Sequence, residues 1–169
     1  MILSVLISTY NYDCSRLLRQ LHGQLPAEGE IILGDDCSTD PDVVRKNREA
    51  SDLPRVRILR PVRNLGRAGI RNALAREAKG EWLLFIDADA EVRSASFIAD
   101  YLAATSPYPT GGEQPLVVCG GTGNLPDQSF VYVTHQVPGV RFRVGKHNLC
   151  LWVVEQQADK LSACVACCT

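Results

Sequence analysis

The sequence contains no apolar run long enough to cross a bilayer, which takes roughly 18–20 residues. Its opening, MILSVLIS, lacks the basic segment of a secretory signal, so we expect no signal peptide. Neither sign of charge is in excess, since the formal net charge is −1, and this argues against a nucleic-acid binder. No G-x-G-x-x-G follows the first predicted strand, which excludes a Rossmann dehydrogenase.

Cysteine is present but not in a pattern typical of disulfides. The chain has 7 cysteines, an odd number, and most are scattered, as in reduced thiols of a cytosolic protein. The CVACC segment (164–168) resembles part of a zinc knuckle, but no second ligand pair stands at a suitable spacing. A length of 169 residues with 46% apolar content predicts one globular domain, which we expect in the cytoplasm.

Short apolar runs alternate with helical patterns along the first 105 residues. Strands are predicted at 2–8, 30–36, 56–60 and 81–87, and helices at 13–25, 41–50, 66–80 and 94–105. Asp13 and Asp40 stand at predicted N-caps, and Gly80 closes the third helix. Further strands are predicted at 116–123 and 129–137. This alternation is typical of an α/β fold with a mainly parallel sheet.

Polar residues follow the predicted carboxyl ends of three strands, as Thr9-Tyr10-Asn11, Asp35-Asp36 and Asp87-Ala88-Asp89. In open parallel sheets, ligands bind beyond these ends, near the point where the strand order reverses. One polar strand end is only what a turn requires. Three of them together favour a binding site.

Arg67 provides an independent indication of a site. It lies in the first turn of the third predicted helix, on the apolar face between Leu74 and Ala78. An arginine there can bind a phosphate beside the helix N-terminus. The alternative is a buried ion pair with a carboxylate such as Asp36. Arg71, one turn further on, is expected at the edge of the same site.

We expect the chain to turn between Asp87 and Asp89 if the two carboxylates share a ligand. Hard cations such as Mg²⁺ take few protein carboxylates and complete their shells with phosphate oxygens and water. Together with Arg67, the two aspartates therefore predict a site for a metal–diphosphate complex.

Four segments occur in order: SVLISTYNYD, EIILGDDCSTD, NLGRAGIRNALAREAKGEW and LLFIDADAEV. Over about residues 2–105 they resemble the family 2 glycosyltransferases. The resemblance implies the α/β GT-A fold, with a Rossmann-like, mainly parallel sheet flanked by helices on both faces. It implies a nucleotide-sugar donor, often a UDP-sugar, and a saccharide or lipid-linked acceptor. It also implies polysaccharide biosynthesis in the cytoplasm and allows peripheral association with the inner face of the membrane.

The resemblance assigns roles to the residues that match its motifs. Thr9 and Tyr10 would line the base pocket, and Asp36 would hydrogen-bond the uracil or its equivalent. By the same resemblance, sugar transfer would invert the anomeric centre, with a carboxylate as the general base for the acceptor hydroxyl.

The remaining roles concern the sugar-phosphate part of the donor. Arg67 would lie near the base and the phosphates, and Asp87 would approach the ribose or the metal. Asp89 would bind Mg²⁺ or Mn²⁺ that bridges the diphosphate, and the metal would act as a Lewis acid on the leaving group.

The C-terminal part departs from the family pattern. Residues 137–169 contain no recognisable base motif, and Glu155 and Asp159 fit a solvated helix face better. We expect residues 1–145 to form an incomplete nucleotide-sugar-binding domain and 146–169 to form a tail outside the family, as in a truncated product. A module that binds a nucleotide without transferring sugar is therefore the main alternative.

Two other enzyme classes share part of the pattern. In a haloacid-dehalogenase-type phosphatase, Asp87 would be the nucleophile and Asp89 the general acid. That class needs a second acidic pair downstream, whereas Asp35-Asp36 lies upstream. A sugar nucleotidyltransferase needs a glycine-rich loop after the first strand, and ISTYNYD lacks one.

Overall fold

A computed structural model describes residues 2–92 and 94–105, together with the backbone of residues 116–121, 141–148 and 152–155. The elements are β1 (Leu3–Thr9), α1 (Ser15–His22), β2 (Gly29–Asp35), α2 (Pro41–Ala50), β3 (Val56–Leu59), α3 (Gly66–Glu77), β4 (Trp82–Asp87), α4 (Phe97–Thr105), β5 (Leu116–Gly121), β6 (Arg141–Asn148) and β7 (Trp152–Glu155). Within these residues no helix is both long and apolar enough to cross a membrane.

The strands form one sheet in the order β3-β2-β1-β4-β7-β5-β6. β1 pairs in parallel with β2 on one side and with β4 on the other, and β2 pairs in parallel with β3. The chain therefore builds outward from β1 to β3 and then returns to the opposite side of β1. The strand order reverses between β1 and β4, and the carboxyl end of this pair is where open α/β sheets bind ligands.

The strands after α4 run in mixed directions. β7 is antiparallel to both β4 and β5, and β5 is parallel to β6. Glu155 lies at the end of β7, so the helix face expected for it is wrong. Pairing with β4 and β5, rather than a local pattern, makes these 4 residues a strand. Asp159 lies outside the described residues. β6 was not predicted. The strand predicted at 129–137 lies outside the described residues, and the boundary predicted at residue 145 stays a prediction.

Helices cover both faces of the sheet, as predicted. One face packs against α1, α2 and α4, in a cluster that includes Leu3, Val5, Ile7, Leu17, Leu18, Leu21, Ala50, Phe97 and Ile98. The other face packs against α3, in a cluster that includes Leu6, Ile32, Leu74, Ala75, Leu83 and Phe85. Each of the valine, leucine, isoleucine and phenylalanine side chains among them contributes roughly 1.5–3 kcal/mol by its burial.

Gly34 allows α3 to approach β2 closely. A Cβ built on Gly34 would lie 2.9 Å from both Ile70 Cγ1 and Leu74 Cδ1. A larger residue would push the helix away from the sheet, since such contacts are shorter than van der Waals distances. The close approach fixes the side chains of α3 relative to the ends of the strands.

The N-terminal cap of α2 is confirmed, whereas that of α1 is corrected. Asp40 accepts hydrogen bonds from the Asp42 and Val43 N–H groups, and Pro41 is the first helical residue. α1 begins at Ser15 with Cys14 at the N-cap. Asp13 lies one residue earlier, but its carboxylate still accepts the Ser15 N–H at 3.0 Å.

α1 ends at His22 rather than at residue 25, and two further helix boundaries also differ from prediction. α3 ends at Glu77 rather than at Gly80, because Ala78 already has an extended backbone with ψ of 142°. α4 begins at Phe97 rather than at residue 94, since Ser94 and Ser96 bond to each other in a turn before it. Neither difference changes the strand order.

Candidate functional site

The chain turns directly after β4. The Ala90 N–H donates to the Asp87 carbonyl at 3.1 Å, which closes a turn over residues 87–90. Asp87 pairs in register with Ser8 of β1, so this turn lies at the point where the strand order reverses. The chain therefore turns between Asp87 and Asp89.

Asp87 is held by an arginine of α3. Arg71 Nη2 donates to Asp87 Oδ1, and the two side chains are 11% and 53% exposed. The sequence placed Arg71 only at the edge of the site. The signal was available, because Arg71 is one turn from Arg67 on the face that also carries the buried Ile70 and Leu74. The positive partner of Asp87 is thus Arg71.

Asp89 is exposed and forms no hydrogen bond or ion pair with any described residue. The described part of the chain also contains no group of three or more His, Cys, Asp or Glu residues that could hold a metal alone. One exposed carboxylate beside the half-exposed Asp87 nevertheless suits Mg²⁺ or Mn²⁺ when phosphate oxygens and water complete the shell. The residues present therefore fit a metal that arrives with a diphosphate.

Arg67 is exposed, and within the described residues its side chain forms no hydrogen bond or ion pair. The sequence places it on the apolar face between Leu74 and Ala78, but Arg67 is exposed, and the first buried residues of α3 are Ile70 and Arg71. The first turn extends beyond the packed part of the helix. Its charge therefore faces solvent at the carboxyl edge of the sheet, and the alternative pair with Asp36 is not formed.

Asp36 connects the end of β2 to the start of α3. Its carboxylate oxygens accept the Leu65 N–H at 2.7 Å and the Gly66 N–H at 2.8 Å, and its carbonyl accepts the Asn64 amide at 2.8 Å. Leu65, at the N-cap of α3, provides no side-chain cap. Asp36 therefore caps α3 from a neighbouring strand. This contact does not test its predicted role at the base.

The loop after β1 presents a tyrosine at the same edge. Thr9 is buried and its hydroxyl donates to the Tyr12 carbonyl at 3.1 Å, whereas Tyr10 is 53% exposed. Asn11 has φ of 51°, and its side-chain oxygen accepts the Thr39 N–H at 2.7 Å. The loops after β1 and β2 are thus joined, with the Tyr10 ring accessible beside them.

Asp35, the other aspartate after β2, is buried and paired. It accepts the Ser38 N–H at 2.8 Å and Arg60 Nη1 at 2.6 Å. Arg60 also donates to the Ser38 carbonyl at 2.8 Å. Sequence reasoning did not identify Arg60 as its partner. Of the adjacent pair Asp35-Asp36, neither carboxylate is free of contacts.

The cysteine beneath this edge is not a nucleophile. Burial raises the pKa of the Cys14 thiol to about 11, so the thiol remains protonated at neutral pH. Cys14 and Cys37 are both free thiols. The CVACC segment lies outside the described residues.

Residues 4–106 match the family described as Glycosyl transferase family 2. The chain belongs to this family. The match covers all of the strand ends described above, and it favours a glycosyltransferase over the phosphatase and nucleotidyltransferase alternatives. The roles of the individual site residues stay predictions.

Relatives are similar over about half of the chain. A protein of Haemophilus influenzae named an uncharacterized glycosyltransferase is 38% identical over 89 residues, covering 52% of this chain and 29% of that protein. The succinoglycan biosynthesis protein ExoO of Rhizobium meliloti is 36% identical over 92 residues, covering 52% and 25%. The chain thus spans about a quarter to a third of these relatives.

A solved structure is similar over more of the chain. Staphylococcus aureus TarS, residues 1–349 in complex with UDP-GlcNAc, has a TM-score of 0.60 at 27% identity, covering 78% of this chain and 37% of that one. The predicted GT-A fold is confirmed by this likeness together with the parallel order of the first four strands.

Proposed function

We propose that this chain forms the donor-binding part of a glycosyltransferase that transfers a sugar from a nucleotide-diphospho-sugar to a saccharide or lipid-linked acceptor. The observation that carries the proposal is the turn at 87–90, where Asp87 is paired and Asp89 is exposed. We place the activity in polysaccharide biosynthesis in the cytoplasm, with peripheral association at the inner face of the membrane.

The names of the similar proteins support the donor and acceptor classes. The TarS structure contains UDP-GlcNAc, which favours a UDP-sugar here. ExoO is named for the biosynthesis of succinoglycan, which favours a saccharide acceptor. The acidic turn beside an exposed arginine suits the diphosphate of such a donor.

The phosphate end of the donor would contact Asp89 and Arg67. Asp89 would hold Mg²⁺ or Mn²⁺ together with the diphosphate, and the bound metal would supply Lewis-acid stabilisation of the leaving group. Arg67, exposed in the first turn of α3, would offer its planar guanidinium to phosphate oxygens.

The base end would contact the loop after β1 and the end of β2. Tyr10 offers an exposed ring and Thr9 lies beside it. Asp36 uses one site on each carboxylate oxygen for α3. A carboxylate has about four acceptor sites, so a base N–H can still be accepted.

Transfer and binding are separate questions for this chain. No carboxylate among the described residues can be assigned as the base for the acceptor hydroxyl. Binding of the donor without transfer is therefore the second candidate function for the 169-residue chain. An acceptor assay measures transfer, whereas nucleotide titration measures the donor site alone.

Calorimetric titration of the chain with UDP, first with Mn²⁺ and then with EDTA, tests the donor site. We expect binding to be at least about tenfold tighter with Mn²⁺, a difference of about 1.4 kcal/mol. Asp89→Ala should remove that difference. Asp52→Ala is the matched control, since Asp52 is also exposed but lies before β3 at the opposite edge of the sheet. A folded chain that binds no nucleoside diphosphate would contradict the proposal.

A further inference from the structure

We propose that Asn47, a buried asparagine of α2, is a positioning residue for the base end of the donor site. It acts through the loop after β1, which carries Tyr10 and which the Asn47 side-chain amide holds in place. The inference rests on the proposed function, because it concerns binding of the same nucleotide. Asn47 lies outside all four segments that resemble the family, so contacts in the fold identify it rather than a motif.

Both ends of the Asn47 side chain are used inside the protein. The residue is 2% exposed. Its Oδ1 accepts the Cys14 N–H at 2.8 Å, and its Nδ2 donates to the Tyr12 carbonyl at 2.9 Å. A side chain needs an acceptor and a donor side by side to make both bonds, since a hydrocarbon makes neither and a carboxylate only accepts. Asn47 is thus matched to two backbone groups that lie 33 and 35 residues away along the chain.

These two bonds fix the segment that follows Tyr10. The Tyr12 carbonyl also accepts the Thr9 hydroxyl at 3.1 Å, so the chain before and after Tyr10 meets at one oxygen. Thr9 is buried at the end of β1, and Cys14 is buried at the start of α1. The backbone that carries Tyr10 is therefore held on both sides by buried residues.

A second contact of the same loop is exposed. The Asn11 side chain bonds to Thr39 in the loop after β2, where water competes for both partners. A hydrogen bond in the interior is electrostatically stronger than one in water, because its surroundings screen it less. Asn47 therefore provides the stronger of the two contacts that tie this loop to the rest of the chain.

An ordered loop matters because Tyr10 offers its ring to the base. The Tyr10 side chain is 53% exposed, which leaves its ring accessible to a flat ligand. Ordering a loop during binding costs free energy, and a loop that is held beforehand avoids that cost. In this way α2 contributes to the donor site through the loop and not by touching the nucleotide.

The experiment is a double-mutant cycle on UDP affinity, measured by calorimetry. Tyr10→Ala should weaken UDP binding about tenfold, the size of one contact between a base and an aromatic ring. Asn47→Ala should weaken it about fivefold, because the loop must then be ordered on binding. The double variant should be about tenfold weaker than the unmodified chain and not about fiftyfold, since Asn47 acts through Tyr10. Losses that multiply in the double variant, or an unchanged affinity of Asn47→Ala, would overturn the inference.

Two controls separate positioning from the general stability of α2. Ala50→Gly changes the other buried residue of this helix and should lower stability while leaving UDP affinity unchanged. Asn47→Ala should keep the full gain in affinity with Mn²⁺, because the metal lies at the phosphate end of the donor. Weaker UDP binding by a folded Ala50→Gly variant, or loss of the Mn²⁺ gain in Asn47→Ala, would show a general effect on the fold and overturn the inference.

If Asn47→Ala prevents folding, amide hydrogen exchange of the unmodified chain decides. Without nucleotide, the Cys14 N–H should exchange at least about a hundredfold more slowly than in an unstructured peptide, because Asn47 accepts its hydrogen bond. Exchange at the rate of an unstructured peptide would show that the loop is not held before binding and would overturn the inference. Absence of UDP binding by a chain with a protected Cys14 N–H would overturn the proposed function and, with it, the role of Asn47.

Discussion

At the amino edge of the sheet, the carboxylate of Glu30 is buried and hydrogen-bonded to its own chain. At the carboxyl edge, the carboxylate of Asp89 is exposed and forms no hydrogen bond or ion pair with the described residues. Glu30 accepts the Ser4 hydroxyl at 2.7 Å, the Lys79 N–H at 2.8 Å and Arg57 Nε at 3.3 Å. These bonds join β1, β2, β3 and the connection before β4.

The carboxyl edge shows intermediate cases. Asp35 and Asp36 are buried and hydrogen-bonded, and one carboxylate oxygen of Asp87 accepts a hydrogen bond from Arg71. A carboxylate that is fully hydrogen-bonded maintains the shape of the sheet, because its removal leaves several donors unsatisfied. An exposed carboxylate such as Asp89 costs little to change and is available to a ligand. The two edges should therefore respond differently to mutation.

The largest effect is expected at Gly80, on the amino edge. A Cβ there would lie 2.3 Å from the Ser4 nitrogen and 2.5 Å from the Leu3 carbonyl carbon, both backbone atoms that cannot yield. We expect Gly80→Ala to lower the free energy of unfolding by about 3 kcal/mol or more, measured by urea denaturation. Gly66→Ala is the control: its φ is 72° and no atom lies within 4 Å, so about 1 kcal/mol should be lost. Equal losses would contradict this account of the amino edge.

Glu30→Gln should have the next largest effect, about 2 kcal/mol at neutral pH. Burial alone would raise the pKa of Glu30, but hydrogen bonds from Ser4, Lys79 and Arg57 outweigh it and hold the pKa below 4.5. The stabilisation is therefore complete above pH 4.5 and is lost as the pH falls through the lowered value.

Urea denaturation between pH 7 and pH 3 tests whether the stabilisation by Glu30 falls as the pH is lowered. The difference in stability between the unmodified chain and Glu30→Gln should shrink on the acid side. Glu49→Gln, which changes an exposed glutamate of α2, should follow the unmodified chain throughout. A difference that grows as the pH falls would show that Glu30 is not stabilised as a carboxylate.

Asp36→Ala should have a smaller effect on stability, about 1 kcal/mol, as expected for the loss of a helix cap. The variant should also weaken UDP binding, because the first turn of α3 carries Arg67. Asp40→Ala removes the cap of α2 and should lose similar stability without weakening UDP binding. Thermal unfolding and calorimetry on both variants make the comparison. Weaker UDP binding by Asp36→Ala at unchanged stability would mean that Asp36 contacts only the base.

Much of the fold and part of the site could be predicted from local signals. Asp40-Pro41 marks the start of α2, because the side-chain cap and the fixed φ of proline act within a few residues. The apolar runs of the first four strands identify the parallel sheet. Thr9, Asp36 and Asp87 were also correctly expected at one edge of the sheet, because parallel strands end there together.

The contacts that depend on the order of strands were not predictable. A helical wheel gives the angle of Arg67 but not how far α3 extends beyond its packed part, and so it did not show that Arg71, rather than Arg67, is buried. The cap of α3 comes from Asp36, which lies 30 residues before Gly66. The place of β7 between β4 and β5 likewise follows from pairing with distant segments.

The comparison of the two edges is tested most directly by measuring stability and Mn²⁺-dependent UDP affinity together for Asp89→Ala and Glu30→Gln. We predict that Asp89→Ala unfolds within about 0.5 kcal/mol of the unmodified chain but loses the metal-dependent gain in affinity. We predict that Glu30→Gln loses about 2 kcal/mol of stability but keeps that gain at temperatures where it remains folded. Retention of the metal-dependent gain by Asp89→Ala would contradict the assignment of the donor site to the end of β4.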